Sequence, residues 1–211
     1  MPSVRFLLTF LLTLTHVRAQ VQSEGKFRPW QRGDQELKTV PSVRLPIQDN
    51  IRAFRLARLE ERSTQLKPFT FGADVPLDLD ILREGEWSVN GRQKARVWRV
   101  AVASKGALSL SLIFEAFFLP PGAELYVVGA HQTLGAFTGA VNNKAGGEFA
   151  TAPLDGDALY LQYFEPLSEE EQDDPAKAAL RPQSGVRLHL KRVVHGFRRT
   201  PLSALDAKLR E

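Results

Sequence analysis

The stretch from Val97 to Leu119 constrains the fold more than any other part of this chain. Val97-Trp98-Arg99-Val100-Ala101-Val102-Ala103 alternates in character, and the run from Leu108 to Leu119 does so more cleanly. In the second run Leu108, Leu110, Leu112, Phe114, Ala116 and Phe118 fall on one side, while Ser109, Ser111 and Glu115 share the other with Ile113 and Phe117. Successive side chains of a strand leave opposite faces, so a period of two predicts two strands, each with one face built for a core. Pro120-Pro121-Gly122 supplies a turn, and Glu124 to Gly129 the next strand. Upstream, Gly85 to Val89 leads into Asn90-Gly91, a pair suited to the positive φ values of a tight hairpin, whose partner is expected to be the strand through Trp98.

The same signals recur on both sides. Phe69, Phe71, Val75, Leu77, Leu79 and Ile81 alternate with Asp74, Asp78 and Asp80, which are expected to face solvent. Leu134 to Gly139, Phe149 to Pro153, and Leu159 to Phe164 read as strands, the last a central one ended by Pro166. Ser168 to Asp174 reads as a solvated acidic loop with some helical tendency. In the final strand Val186, Leu188, Leu190 and Val194 are expected inside, and Arg187, His189 and Lys191 outside. About eight short strands between Glu86 and Val194, with none of the long helices that parallel strands need, predict an all-β fold, an antiparallel β-sandwich or jelly roll.

This domain, expected over residues 68–198, follows an extended, partly helical N-terminal leader over 20–67 and precedes a C-terminal tail over 199–211. In the leader Asn50 is a candidate cap for a short helix carrying Ile51, Phe54, Leu56 and Leu59 among Arg52, Arg55, Arg58, Glu60 and Glu61, expected to lie across the sheet with a solvated face. Residues 1–19 read as a signal peptide: Arg5 precedes the apolar run Phe6 to Leu14, and Val17-Arg18-Ala19 ends in the small-x-small pattern of a cleavage site. The mature chain is expected to begin at Gln20 and to be secreted. That apolar run is shorter than the roughly 20 residues of a membrane-spanning helix, and no other uncharged run reaches membrane length, so no membrane span is expected.

Composition narrows the chemistry. The 43% hydrophobic residues of this 211-residue chain suffice for a core, and the absence of cysteine excludes disulfides, thiolate metal sites and thiol nucleophiles. Losing Arg5 and Arg18 with the signal takes the basic residues from 28 to 26 against 24 acids. With charge so balanced and no basic stripe interleaved with aromatics, no nucleic-acid partner is expected. His131, His189 and His195 lack the spacing that puts two imidazoles on one metal, and each is expected at the surface. No serine sits in a nucleophile elbow, the Asp78-x-Asp80 pair lacks a calcium loop, and Gly146-Gly147 lacks the strand-to-helix context of a phosphate loop. The reading is therefore no catalytic residue, no cofactor and no metal. Trp87, Trp98 and Tyr160 are candidates for stacking on a glycan, with core packing as the competing reading for the tryptophans.

Several blocks together resemble a known family. They are Val97-Trp98-Arg99-Val100, Ser104-Lys105-Gly106-Ala107-Leu108-Ser109-Leu110, the run from Phe117 to Tyr126, Leu134-Gly135-Ala136-Phe137-Thr138, Asn142-Asn143, the run from Ala152 to Asp157, Tyr163-Phe164-Glu165-Pro166, and the closing Val193-Val194-His195-Gly196-Phe197-Arg198. In this order they resemble the amino-terminal pro-region of secreted lysyl-endopeptidase-like, trypsin-type serine proteases. In that family a cysteine-bearing catalytic domain follows, whereas this sequence has neither cysteines nor a triad. The resemblance implies a non-catalytic equivalent of the pro-region that assists folding of, or occludes, a trypsin-like protease domain. A carbohydrate- or cell-surface-binding module and a truncated product of a secreted serine endopeptidase gene are the alternatives. Arg198-Arg199, just beyond the final strand, is the expected site of tryptic processing, together with the leader before Pro46.

Overall fold

The two alternating runs do not pair with each other. In the computed structural model, which describes residues 40–63, 69–90, 94–173 and 185–199, β4 (Ala95–Ala103) and β5 (Ser109–Phe118) belong to different sheets. The first sheet runs β1 (Ser42–Arg44), β4, β10 (Ala158–Pro166), β6 (Glu124–Val128), β7 (Thr133–Thr138). β3 (Glu86–Asn90) pairs with the beginning of β4, and β1 with its end. The second sheet runs β2 (Gly72–Asp80), β11 (Arg187–Gly196), β5, β8 (Phe149–Ala150), and β9 (Leu154–Asp155) pairs further along β5. All these pairings are antiparallel except that of β1 with β4. The protein is an all-β sandwich, and β3 pairs with β4 as expected, Trp87 opposite Trp98; the ladder runs on through Asn90 opposite Ala95, so Asn90 is a strand residue and not the first residue of a two-residue turn.

The inner faces follow the alternation. Trp98, Val100 and Val102 of β4, Leu159, Leu161 and Tyr163 of β10, and Leu125 and Val127 of β6 meet Leu110, Leu112 and Phe114 of β5 and Leu188, Leu190 and Val193 of β11. β10 is central, as expected, flanked by β4 and β6. A second buried cluster, Val97, Tyr126, Ala136 and Phe164, lies on the other face of the first sheet. β4 is thus buried on both faces, which explains why its sequence is nearly continuously apolar.

Parity fails at one level of the second sheet. Across β5 and β11 the partners run His189 to Ala116, Leu190 to Phe114, and Arg192 to Ile113, leaving Glu115 and Lys191 each without a residue opposite. A bulge inserts one residue and reverses which side chains face inward beyond it. Phe117 is consequently buried and Phe118 only half-buried, the reverse of the sequence expectation; Val193 replaces Val194 in the core for the same reason. Leu108, also expected inside, precedes the strand and is exposed.

The leader contributes more than a linker. Ser42–Arg44 is a strand, Leu45 is buried in the core, and α1 (Asn50–Ser63) forms where a helix was expected. Its N-terminal cap is Asp49, whose Oδ1 accepts from the Arg52 amide at 2.9 Å, and not Asn50. Two short helices, α2 (Gly139–Asn142) and α3 (Glu169–Asp173), follow later, α3 within the acidic loop. The expected signal peptide, the leader before residue 40 and the tail beyond Arg199 lie outside the described residues.

Candidate functional site

α1 is fastened to the sandwich at both ends by polar links, and its exposed face is the surface of interest. At the first end His195, expected at the surface, is completely buried near the end of β11. Its Nε2 lies 2.7 Å from Asn50 Oδ1 and its Nδ1 lies 2.7 Å from the hydroxyl of Ser104, itself fully buried. Asn50 Nδ2 donates to the Gly106 carbonyl at 2.7 Å, so Oδ1 faces the imidazole as an acceptor. Nε2 must then carry the proton, and Nδ1 accepts from the Ser104 hydroxyl. Burial pushes the His195 pKa below its ordinary value, which favours this neutral chain of hydrogen bonds.

Serine, histidine and asparagine are the residue types of a nucleophile, a base and an orienting group. Here the hydroxyl and the imidazole are both sealed from solvent, so the arrangement offers a substrate no approach. What it does is tie the start of α1 to the ends of β4 and β11. No local spacing announces it, because the partners are 91 and 145 residues apart in the chain.

At the other end Arg198 donates to Glu61 and to the Thr70 carbonyl, and its guanidinium lies 4.1 Å from the Phe69 ring centroid and 5.6 Å from that of Phe54. The hydrogen bond from Arg198 holds the Glu61 carboxyl below its usual range. Of the dibasic pair expected to be processed, Arg198 is therefore engaged and Arg199 is exposed.

Between these anchors only Ala57 of α1 is buried. Ile51, Leu56 and Leu59 are 66%, 51% and 60% exposed, and Ile47 just before the helix is 79% exposed. At 100° per residue Leu59 lies near the middle of the outward face, with Arg52, Arg55 and Arg62 around it and Ile51 and Leu56 at its margins. The helix turns its small residue inward and its large aliphatics outward, the opposite of a helix recruited to fill a core.

The aromatic candidates do not form a platform. Trp98 is completely buried, its indole N–H donating to the Leu82 carbonyl at 3.2 Å. Trp87 is half-buried against it, with ring centroids 6.5 Å apart, and meets Tyr163 edge-on at 5.9 Å. Tyr160 has the opposite strand parity from Tyr163 and so lies on the other face of the first sheet. The tryptophans are together because both pack in the core, which corrects the reading of Trp98 as an exposed stacking residue.

A further polar group sits beside them. The Tyr163 hydroxyl donates to Glu165 Oε2 at 2.8 Å, burial raises the pKa of both groups, and neighbouring Arg96 is paired with Glu171. His131 is exposed, as expected. No protein-family model and no curated protein matches this chain.

Proposed function

We propose that this chain is a secreted, non-catalytic β-sandwich that binds a trypsin-like serine protease domain through the outward face of α1, assisting its folding or occluding it. The observation that carries the reading is the exposure of Ile51, Leu56 and Leu59 on a helix anchored at both ends. Exposed aliphatics on a fastened element suit an interaction surface, because a rigid anchor loses little conformational freedom when a partner covers it. The ordered blocks resembling the protease pro-region supply the class of partner.

The test is binding of the mature chain to trypsin and to a lysine-specific trypsin-type protease, together with refolding of each denatured enzyme in its presence. Binding, or refolding accelerated several-fold, is expected for at least one enzyme and should disappear in the Ile51→Asp, Leu59→Asp double variant, whose thermal unfolding should match the parent's. Absence of binding, inhibition and refolding assistance with both enzymes would rule the proposal out. Trp98 is unavailable to a glycan in this fold, and no described observation favours the carbohydrate reading.

A further inference from the structure

The outer face of the second sheet holds a polar cluster where three neighbouring strands step out of register at one level. Glu115 of β5 and Lys191 of β11 are the bulged residues described above. On the other side of β11, Leu190 faces Leu79 and Arg192 faces Pro76, so Leu77 and Asp78 of β2 are skipped as well. Bulges re-aim side chains. Here they converge on His189, whose Nε2 lies 2.8 Å from Asp78 Oδ1 and 3.5 Å from Glu115 Oε1. One ligand atom from each residue lies within 4.8 Å of the others, the only such group among the described residues.

A single Nε2–H makes one well-directed hydrogen bond, so the imidazole cannot serve both carboxylates equally well. A divalent cation in place of that proton would reach Asp78 and Glu115 as well once the exposed Asp78 carboxylate turns onto it, since the three ligand atoms already lie within 4.8 Å of one another. Zn²⁺ binds nitrogen and carboxylate oxygen at about 2.0–2.2 Å, which in a tetrahedron separates neighbouring ligand atoms by about 3.4 Å. The observed separations of 2.8 and 3.5 Å bracket that edge, and the Asp78 side chain is 93% exposed and free to adjust. Lys191 Nζ lies 3.6 Å from Glu115 Oε2, on the oxygen that does not face His189, where it orients the carboxylate and offsets part of the cluster's negative charge. The imidazole disfavours Ca²⁺ and Mg²⁺, which want oxygen ligands throughout, and suits zinc and its transition-metal neighbours.

The geometry points to a surface Zn²⁺ site built by Asp78, Glu115 and His189, one imidazole and two carboxylates, with its remaining coordination positions open to water. Such an ion would clip β2, β11 and β5 together where their ladders are interrupted. It is independent of the protease reading, since it involves no residue of α1.

Calorimetric titration of the mature chain with ZnCl₂, and visible absorption with CoCl₂, test it. One ion per chain is expected, with affinity falling tenfold or more in each of Asp78→Asn, Glu115→Gln and His189→Gln and unchanged in His131→Gln. These side chains stand on the solvent face, so the variants should unfold at the parent's temperature in the absence of metal. If one does not fold, the parent alone decides: in its NMR spectrum the His189 ring signals should broaden with substoichiometric Co²⁺ before those of His131. No saturable binding by the parent, undiminished affinity in His189→Gln, or His131 broadening first would overturn the proposal.

Discussion

His195 shows how much a single buried side chain decides here. Its depressed pKa means that the unfolded chain, with an ordinary imidazole near 6.5, takes up a proton more readily than the folded one. The contribution to stability is therefore fully present above about pH 6.5 and is lost as pH falls through the folded value. Urea unfolding between pH 5 and 8 should show the midpoint falling on the acid side, and His195→Gln should flatten that dependence. Glu165, whose pKa burial raises, has the opposite sign and is common to both proteins, so it drops out of the difference. At pH 8 the substitution should cost about 2–4 kcal/mol, because Ser104 and Asn50 lose their shared partner inside a packed site. Equal pH slopes in parent and variant would remove the hydrogen-bonded chain described here.

The paired bulges on β5 and β11 decide parity along each element. Phe117 stacks on Phe149 at 4.1 Å and meets Phe114 edge-on at 5.6 Å, while Phe118 is half-buried under Arg187 at 5.2 Å. Phe117→Ala should thus destabilise by about 3–5 kcal/mol, and Phe118→Ala by about 1 kcal/mol or less. Strict alternation from Leu110 demands the reverse order, so chemical denaturation of the two variants separates the possibilities. Most of the strands themselves were legible from alternation and turn chemistry, including the pairing of β3 with β4 and the central place of β10. The bulges were not, because Glu115 and Lys191 sit in runs whose local pattern continues undisturbed on either side.

For the whole molecule, the fastening of α1 to the end of β11 sets where a protease can enter. The Arg198 guanidinium is held by Glu61 and Thr70 against Phe69, whereas Arg199 is exposed. Cleavage needs the arginine side chain and its flanking backbone to be presented to the enzyme, so brief trypsin treatment should cut after Arg199 before Arg198. Arg96 is buried in β4, and cuts there or at Arg99 should appear only late. Mass spectrometry finding Arg198, Arg96 or Arg99 among the first sites would contradict the anchoring of α1 and the protection of the first sheet.

The amino-acid sequence by itself determined that this chain builds short antiparallel strands around an apolar core, because period two and turn residues act within a few residues of one another. It also placed a short helix just after Asn50, carrying Ile51, Phe54, Leu56 and Leu59, and strands on either side of most turns. Only the tertiary structure decided that β4 and β5 enter different sheets, that Ser42–Arg44 adds a parallel edge, that α1 turns its aliphatics outward, and that His195 is enclosed by Asn50 and Ser104. Each of these depends on partners tens of residues away in the chain. Burial and register are settled by what lies across the interface, and no local pattern carries that information.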